Sequence, residues 1–153
     1  MNLRRAPRQV YVFRAKLEGW SGVRRRLAVR SDQTLADLHR GLQTAFGWDD
    51  EHLYAFWLDG RYWSLDAPEY GRPEHAKQQN PGGKLWDLPE SRSAEERLDK
   101  LELLPGQKIA YVFDFGDEWR VELTVADIGV DDGGSYPAVL ELVGAAPPQY
   151  HAA

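Results

Sequence analysis

The chain has 153 residues, of which 42% are apolar and 28% are charged, so it can form one domain whose core requires neither metal nor disulfide. It contains no cysteine, which excludes disulfides, thiolate metal ligands and thiol catalysis. Apolar runs are too short for a signal peptide or a membrane span, so we expect a cytoplasmic protein that is neither secreted nor inserted in a membrane.

Charge is distributed unevenly within the formal net charge of −5. The first thirty residues hold eight Arg, one Lys and one Glu, a balance of +8, so the rest of the chain carries −13. We expect residues 1–9 to form a flexible basic arm, residues 10–148 to form a single domain, and residues 149–153 to form a tail.

Two antiparallel strands with one basic face are predicted near the start of the chain. In VYVFRAKL and VRRRLAVR, apolar residues such as Phe13 and Leu27 alternate with cations. The alternation puts five cationic side chains on the face opposite the core: Arg14, Lys16, Arg24, Arg26 and Arg30.

The segment SDQTLADLHRGLQTAFG is predicted to be a helix. Its apolar residues form one stripe, Thr34 and Asp37 match a capping box, and Gly47 suits the position after the last turn. A strand pair followed by a helix and a further strand is the order of a β-grasp fold. Asp59-Gly60 predicts a tight hairpin turn between YAFWL and RYWSL.

A long irregular segment is predicted over residues 66–92, where Pro and Gly are frequent. We expect Trp86 to anchor this segment to the core, because an indole is costly to leave in water. Ser93 and Glu96 match a second capping box, which predicts a short helix reaching Leu101.

The segment KIAYVFDFGDEWRVELTV predicts a second hairpin. A three-residue loop over 116–118 keeps both apolar sets on one face, sets Phe115 opposite Trp119, and sets Asp114 opposite Arg120. Asp114 and Asp117 then have two interpretations, either as residues that form the turn and an ion pair or as part of an acidic binding site. Together these elements predict an α+β fold with a mostly antiparallel sheet, helices packed on one face, and a β-grasp-like first half.

Several blocks of the sequence resemble the plasmid pRiA4b ORF-3-like family. They are the Leu38-His39 pair in the predicted helix, the Gly-Trp-Asp-Asp run that ends at Asp50, and His52. The pattern YVFDFGDEWRVEL and the later YPAVLELVGAAPP complete the resemblance. It implies an α+β protein of no established activity, found on plasmids, as a passenger of transposons, and in bacterial or archaeal chromosomes.

Two departures from that family weaken a metal or acid-base role. The position two residues after the Trp of the second motif is often histidine in the family, but it is Val121 here. The acidic pair and glycines that often follow the Pro-Pro are replaced by QYHAA.

A polar cluster is the one grouping that resembles metal or acid-base chemistry. Its candidate members are His39, Asp49, Asp50, His52, Asp114 and Asp117. The spacing of WDDEH fits no familiar zinc motif, and His39 also suits a hydrogen-bonded structural role at the edge of the helix stripe. We therefore predict no catalytic residue, no metal and no cofactor.

Binding is the function that the sequence favours. Six tryptophans and many arginines are typical of protein interfaces, so a protein partner is our first prediction. The alternative is nucleic-acid binding by the basic face of the first hairpin, where Trp20 in the turn can stack on a base. A metal-dependent hydrolase is a distant third.

Overall fold

The structure is a computed structural model that describes residues 8–150, and it is a mixed α/β fold dominated by one eight-stranded sheet. The strands are β1 (Gln9–Leu17), β2 (Arg24–Arg30), β3 (Tyr54–Trp57), β4 (Glu69–Gly71), β5 (Ser91–Ser93), β6 (Lys108–Phe113), β7 (Trp119–Val130) and β8 (Ala138–Val143). The helices are α1 (Leu35–Phe46) and α2 (Pro73–Gln78), and a 3₁₀ turn covers Leu98–Lys100. Within the described residues, no helix has the length and apolar character needed to cross a bilayer.

The sheet order is β5-β4-β3-β6-β7-β1-β2-β8. All neighbours are antiparallel except β4 and β5, so the predicted antiparallel character is confirmed for most of the sheet. The strand β3 is separated from the first hairpin by β6 and β7. The β-grasp-like first half and the placement of all helices on one face remain predictions.

The first hairpin and α1 form where the sequence predicts them. Phe13 of β1 lies opposite Leu27 of β2, and both side chains are fully buried. Thr34 and Asp37 make both hydrogen bonds of the capping box, and Gly47 ends α1 in the left-handed conformation with φ of 72°. These elements follow local patterns, which explains why the sequence predicts them well.

The main core lies between α1 and one side of the sheet, which we call the inner face. It joins the helix stripe represented by Leu38 to sheet residues such as Phe13 and Leu123. The other side, the outer face, carries a smaller core around Trp57 and Val112. The buried residues of that core belong to β3 and β6, and Tyr62 and Phe115 pack on it from the loops. The outer face over β1, β2 and β8 has no buried apolar cluster of its own among the described residues.

The predicted hairpin at Asp59-Gly60 is wrong. After β3 the chain makes turns over the outer face instead of forming a returning strand. The Trp63 ring packs at a tilt against Trp57, at 5.0 Å, and edge-on against Phe115, at 4.8 Å, measured between ring centroids. Trp63 nevertheless remains 38% exposed. Burial of aromatic rings on the outer face outweighs the local turn preference.

The predicted anchoring role of Trp86 is also wrong, because its side chain is 96% exposed. Buried Asn80 organises this loop instead. Its Nδ2 donates to the carbonyl oxygens of Leu85, Leu88 and Pro89 at 3.0–3.1 Å, and its Oδ1 accepts the Leu85 N–H at 2.9 Å. The predicted irregular segment therefore contains β4, α2 and the loop held by Asn80.

The predicted helix after Ser93 is reduced to the single 3₁₀ turn. Its N-cap is Arg97, which makes no side-chain capping bond, and Ser93 Oγ accepts the Glu95 N–H instead. The capping-box pattern at Ser93 therefore predicts the start of a helix wrongly. The Ser93 side chain instead stabilises a turn that precedes the 3₁₀ turn.

The strands of the second hairpin keep the predicted faces, but their register is shifted by two residues. Phe115, predicted on the inner face, lies in the loop and packs against the core of the outer face. Phe113 lies opposite Trp119, and Val112 lies opposite Arg120, so the loop spans residues 114–118 rather than 116–118. A shift of two residues preserves the side of every apolar residue that remains in the strands, and the alternation argument cannot detect it. The predicted Asp114–Arg120 ion pair is absent, and Arg120 pairs with Glu118 at 3.1 Å.

Parts of the predicted arm and tail lie outside the described residues, namely residues 1–7 and 151–153. Arg8 is described and forms an ion pair with Asp32 at 3.2 Å. At the other end, Gln149 Nε2 donates to Asp49 Oδ1 at 2.8 Å.

Candidate functional site

Four of the five predicted cations form a compact group on the outer face, which we call the basic quartet: Arg14, Lys16, Arg24 and Arg26. Arg14 lies directly opposite Arg26, and Lys16 lies directly opposite Arg24. All four residues are exposed. Among residues 8–150, none of the four has a carboxylate oxygen within 4.0 Å of its side-chain nitrogens. Like charges in direct opposition destabilise a strand pair by up to about 1 kcal/mol, which an anionic ligand would relieve.

The basic quartet lines an open depression of about 660 Å³ in the outer face. The remaining lining residues are Ala15, Arg25, Lys108, Glu122, Thr124, Ala126, Asp127 and Glu141. Lys108 and Glu122 neutralise each other at 3.1 Å, and Glu141 lies opposite Arg26 in the strand register. Arg25 turns its side chain to the inner face, so five cations against three carboxylates leave the depression positively charged.

A second depression continues from the first and contains Trp20. The two share Lys16, Arg24 and Glu122. Trp20 is 43% exposed, and its ring lies 6.5 Å from that of Trp119. The predicted exposure of Trp20 beside the cations is therefore present in the structure.

Arg30 does not join the basic quartet. Its Nε donates to Asp32 at 2.6 Å, and that hydrogen bond raises the pKa of Arg30 and lowers that of Asp32. Its strand pair with Val10 is separated from the Arg14–Arg26 pair by the apolar pair Val12–Ala28 and lies beyond the depression. Arg30 therefore binds the nearby Asp32, although the strand alternation places Arg30 and Arg24 on the same face of β2.

His39 lies in the core at the centre of a hydrogen-bond network. Its Nδ1 is 2.7 Å from the Tyr111 hydroxyl, its Nε2 is 2.7 Å from Asp50, and its ring stacks on Tyr54 at 3.5 Å. Gln43 donates to the Tyr111 oxygen at 3.0 Å. These contacts assign the proton to Nε2, with Tyr111 donating to Nδ1 and Nε2–H donating to Asp50.

Burial determines the protonation of this network. It lowers the pKa of His39 to about 4, against the opposing effect of Asp50, so the imidazole is neutral at pH 7. Burial also raises the pKa of Tyr111. Asp50 is further held by an ion pair with Arg72, which also donates to the His52 carbonyl oxygen at 3.1 Å.

The remaining members of the predicted polar cluster lie at the edge of this network, where Asp49 and Asp117 are exposed and Asp114 is buried. His52 Nε2 is 2.8 Å from the Tyr150 hydroxyl, which is 3.0 Å from Asp49 Oδ1. Asp114 Oδ2 lies 3.6 Å from His52 Nε2. The structure therefore brings together five of the six predicted residues.

Asp114 is chiefly a turn residue. Its backbone has φ of 63°, and its Oδ1 accepts the N–H groups of Gly116, at 3.0 Å, and Asp117, at 3.2 Å. Asp117 is exposed, and among residues 8–150 its contact with the cluster is made by its backbone N–H rather than by its carboxylate. Among residues 8–150, no group of three or more His, Asp or Glu side chains is placed to hold a metal ion.

Sequence reasoning missed the buried Arg25. Its Nε donates to the Ala45 carbonyl at 2.7 Å, and its Nη1 donates to those of Val143 and Gly144 at 2.9 and 3.0 Å. Alternation in VRRRLAVR already places this residue on the inner face. The partners Tyr111, Gln43 and Arg72 of the His39 network had no such local signal, because they come from distant segments.

The chain belongs to the family of plasmid pRiA4b ORF-3-like proteins, which matches residues 9–150. It is 28% identical over 131 residues to the uncharacterized protein y4hQ of Sinorhizobium fredii (strain NBRC 101917 / NGR234). That match covers 83% of this chain and 58% of the relative, so the chain spans little more than half the length of the curated protein it matches.

A solved structure shares the fold. It is the crystal structure of MM3350, a protein of unknown function from Methanosarcina mazei Go1, with a TM-score of 0.74 and 24% identity. The similarity covers 94% of this chain and 75% of the other. The family and these relatives are proteins of unknown function.

Proposed function

We propose that this chain is a non-enzymatic interaction module that binds an acidic segment of another protein on the basic quartet. The observation that carries the proposal is that four exposed cations lie in two opposed pairs without carboxylate partners among residues 8–150. Carboxylates of a partner can neutralise all four across an area of about 5 by 7 Å, which is one cross-strand spacing by two residues of strand.

The surroundings of the quartet favour a short acidic segment over a long polyanion. Glu122, Asp127 and Glu141 flank the depression, and the full chain has a net charge of −5. A long polyanion would have to pass these carboxylates, whereas a short segment can place its charges over the quartet alone. Electrostatic complementarity of this kind also favours rapid association at low salt.

The test is fluorescence anisotropy with a labelled oligo-aspartate peptide. The double variant Arg24→Glu with Arg26→Glu is expected to lose binding. Its matched control is Lys77→Glu with Lys84→Glu, which makes the same change in net charge at exposed residues outside the depression and is expected to bind like the wild type. Equal loss in both double variants would show a non-specific charge effect and contradict the proposal.

Nucleic-acid binding is the second candidate, and one observation favours it. Trp20 shares a depression with Lys16 and Arg24, an arrangement suited to stacking a base beside a phosphate. A labelled single-stranded oligonucleotide of mixed sequence tests it in the same assay. Salt-dependent binding that exceeds that of the peptide and is weakened by Trp20→Ala would establish this function instead of the first.

A further inference from the structure

A third depression in the outer face, which we call the apolar depression, adjoins the basic quartet. Its volume is about 290 Å³. Its apolar lining consists of Val10, Val12, Ala28, Val130, Ala138 and Leu140. Val130 and Leu140 are 68% and 52% exposed, so these side chains leave the depression open instead of filling it with a core of their own.

One wall of the apolar depression is already ordered. Tyr136, in the chain between β7 and β8, lines it together with Asp132. Gln33 Nε2 donates to the Tyr136 carbonyl oxygen at 2.8 Å, and the Tyr136 hydroxyl donates to Asp132 at 2.7 Å. A ligand side chain can enter without first ordering this wall, which removes one entropic cost of binding.

The apolar depression and the basic quartet follow one another along the same two strands. Three successive residue pairs of β1 and β2 face outward in an unbroken register: Val12–Ala28, Arg14–Arg26 and Lys16–Arg24. Each pair is two residues, or about 7 Å, from the next. Side chains on one side of an extended peptide repeat at the same interval. One apolar and two acidic residues, each separated by one residue, therefore match the three pairs in order.

Carboxylates at the apolar end determine the order of the ligand residues. Asp132 lines the apolar depression, and the exposed Asp127 lies opposite Val12 on β7. An acidic residue of the ligand is repelled at this end and attracted by Arg14 and Arg26 two residues further along. The ligand therefore needs an uncharged side chain at the apolar end and its acidic residues at the other end.

We propose that the apolar depression binds a large aliphatic side chain of the same acidic segment, two residues from the nearer of its two acidic residues. This inference rests on the proposed function, because the basic quartet holds the acidic residues. The segment is extended, since a peptide this short does not hold a helix in water. The aliphatic side chain gives selectivity among acidic segments, because salt screens exposed charges but does not screen apolar burial.

The test compares three labelled pentapeptides of identical composition by fluorescence anisotropy at low salt. Two have leucine at one end, Leu-Ser-Asp-Ser-Asp and its reverse, and the third has it between the acids, Asp-Ser-Leu-Ser-Asp. At least one end isomer is expected to bind about tenfold more tightly than the central isomer, because only an end isomer places leucine in the apolar depression and both acids over the quartet. The better of the two end isomers identifies the direction in which the segment runs.

A matched pair of variants on β8 tests the depression itself. Leu140→Ser is expected to abolish the preference for the end isomer and to bind oligo-aspartate like the wild type. The control Leu142→Ser changes a residue of the same strand that is 63% exposed but lies opposite Arg25 and outside the depression. It is expected to keep the preference, and circular dichroism verifies that both variants are folded.

The outcomes separate this inference from the proposed function. A wild type that binds oligo-aspartate but does not distinguish the isomers overturns the inference alone. The same holds for a preference that survives Leu140→Ser or is lost equally in Leu142→Ser. A wild type that does not bind oligo-aspartate overturns the proposed function and this inference with it.

Discussion

The hydroxyl of Tyr111 lies 2.7 Å from Nδ1 of His39, and both side chains are enclosed by the core. This contact joins β6 to α1 through a buried polar network. It explains why an imidazole occurs at the edge of an apolar helix stripe, since its two nitrogens are both satisfied.

Removing the Tyr111 hydroxyl should therefore destabilise the fold. Tyr111→Phe leaves His39 Nδ1 without a donor and Gln43 Nε2 without an acceptor, and we expect the free energy of unfolding to fall by about 1–3 kcal/mol. Urea denaturation measures it. The control is Tyr136→Phe, whose hydroxyl donates to Asp132 at the surface and should change stability by less than about 0.5 kcal/mol. Equal effects of the two variants would contradict the buried network.

Stability should decrease in mild acid because of His39. Its pKa is 6.5 in the unfolded chain and about 4 in the folded protein, so between these values only the unfolded state gains the proton. The contribution of His39 is fully present above pH 6.5 and is lost progressively down to about pH 4, with a total on the order of 3 kcal/mol. The NMR titration of the His39 ring in the folded protein measures the folded pKa. A midpoint near 6.5 would contradict this prediction.

Gly144 should tolerate no side chain. It has φ of 77°, and a Cβ there would lie 2.2 Å from the Gly22 carbonyl oxygen. The control is Gly133→Ala, where φ is 85° but no atom lies within 4 Å of the added Cβ. We expect Gly144→Ala to lower the free energy of unfolding by at least about 1 kcal/mol more than Gly133→Ala, because only the first must also move the backbone. Thermal and urea denaturation of both variants measure the difference.

Arg25 should be far more sensitive to substitution than its neighbour. Arg25→Met keeps the aliphatic length but removes the donors to the carbonyl oxygens of Ala45, Val143 and Gly144, and we expect a loss of about 1–3 kcal/mol. Arg24→Met, at an exposed position, should stay within about 0.5 kcal/mol of the wild type. Arg25→Lys should not restore stability, because an ammonium group cannot reproduce the planar guanidinium fork.

The features that the sequence predicts correctly are those that depend on residues close together in the chain. Alternation around Phe13 and Leu27 and the capping signals at Thr34 and Gly47 each involve a few adjacent positions, and all are confirmed. The register of the second hairpin could not be predicted, because shifts of two residues leave the apolar pattern unchanged.

The features that the sequence predicts wrongly are stabilised by contacts between residues far apart in the chain. Trp63 buries part of its ring on the outer face instead of extending a hairpin, and Asn80 rather than Trp86 holds the irregular loop. In the candidate site, alternation predicted the basic quartet but not that Arg30 would turn to Asp32. The parts of the His39 network that the sequence missed are Tyr111 of β6, which bonds His39, and Arg72 before α2, which pairs with Asp50, and no local pattern connects them.

The small core on the outer face has a consequence for how the molecule opens. Around Ala110 and Val112 the sheet is covered from both sides, whereas around β2 and β8 it is covered only from within. Amide hydrogens of β6 should therefore exchange with solvent only on global unfolding, and those of β8 through local fraying. Partial unfolding then starts at the edge that borders the basic quartet, while the half that holds the aromatic rings remains intact.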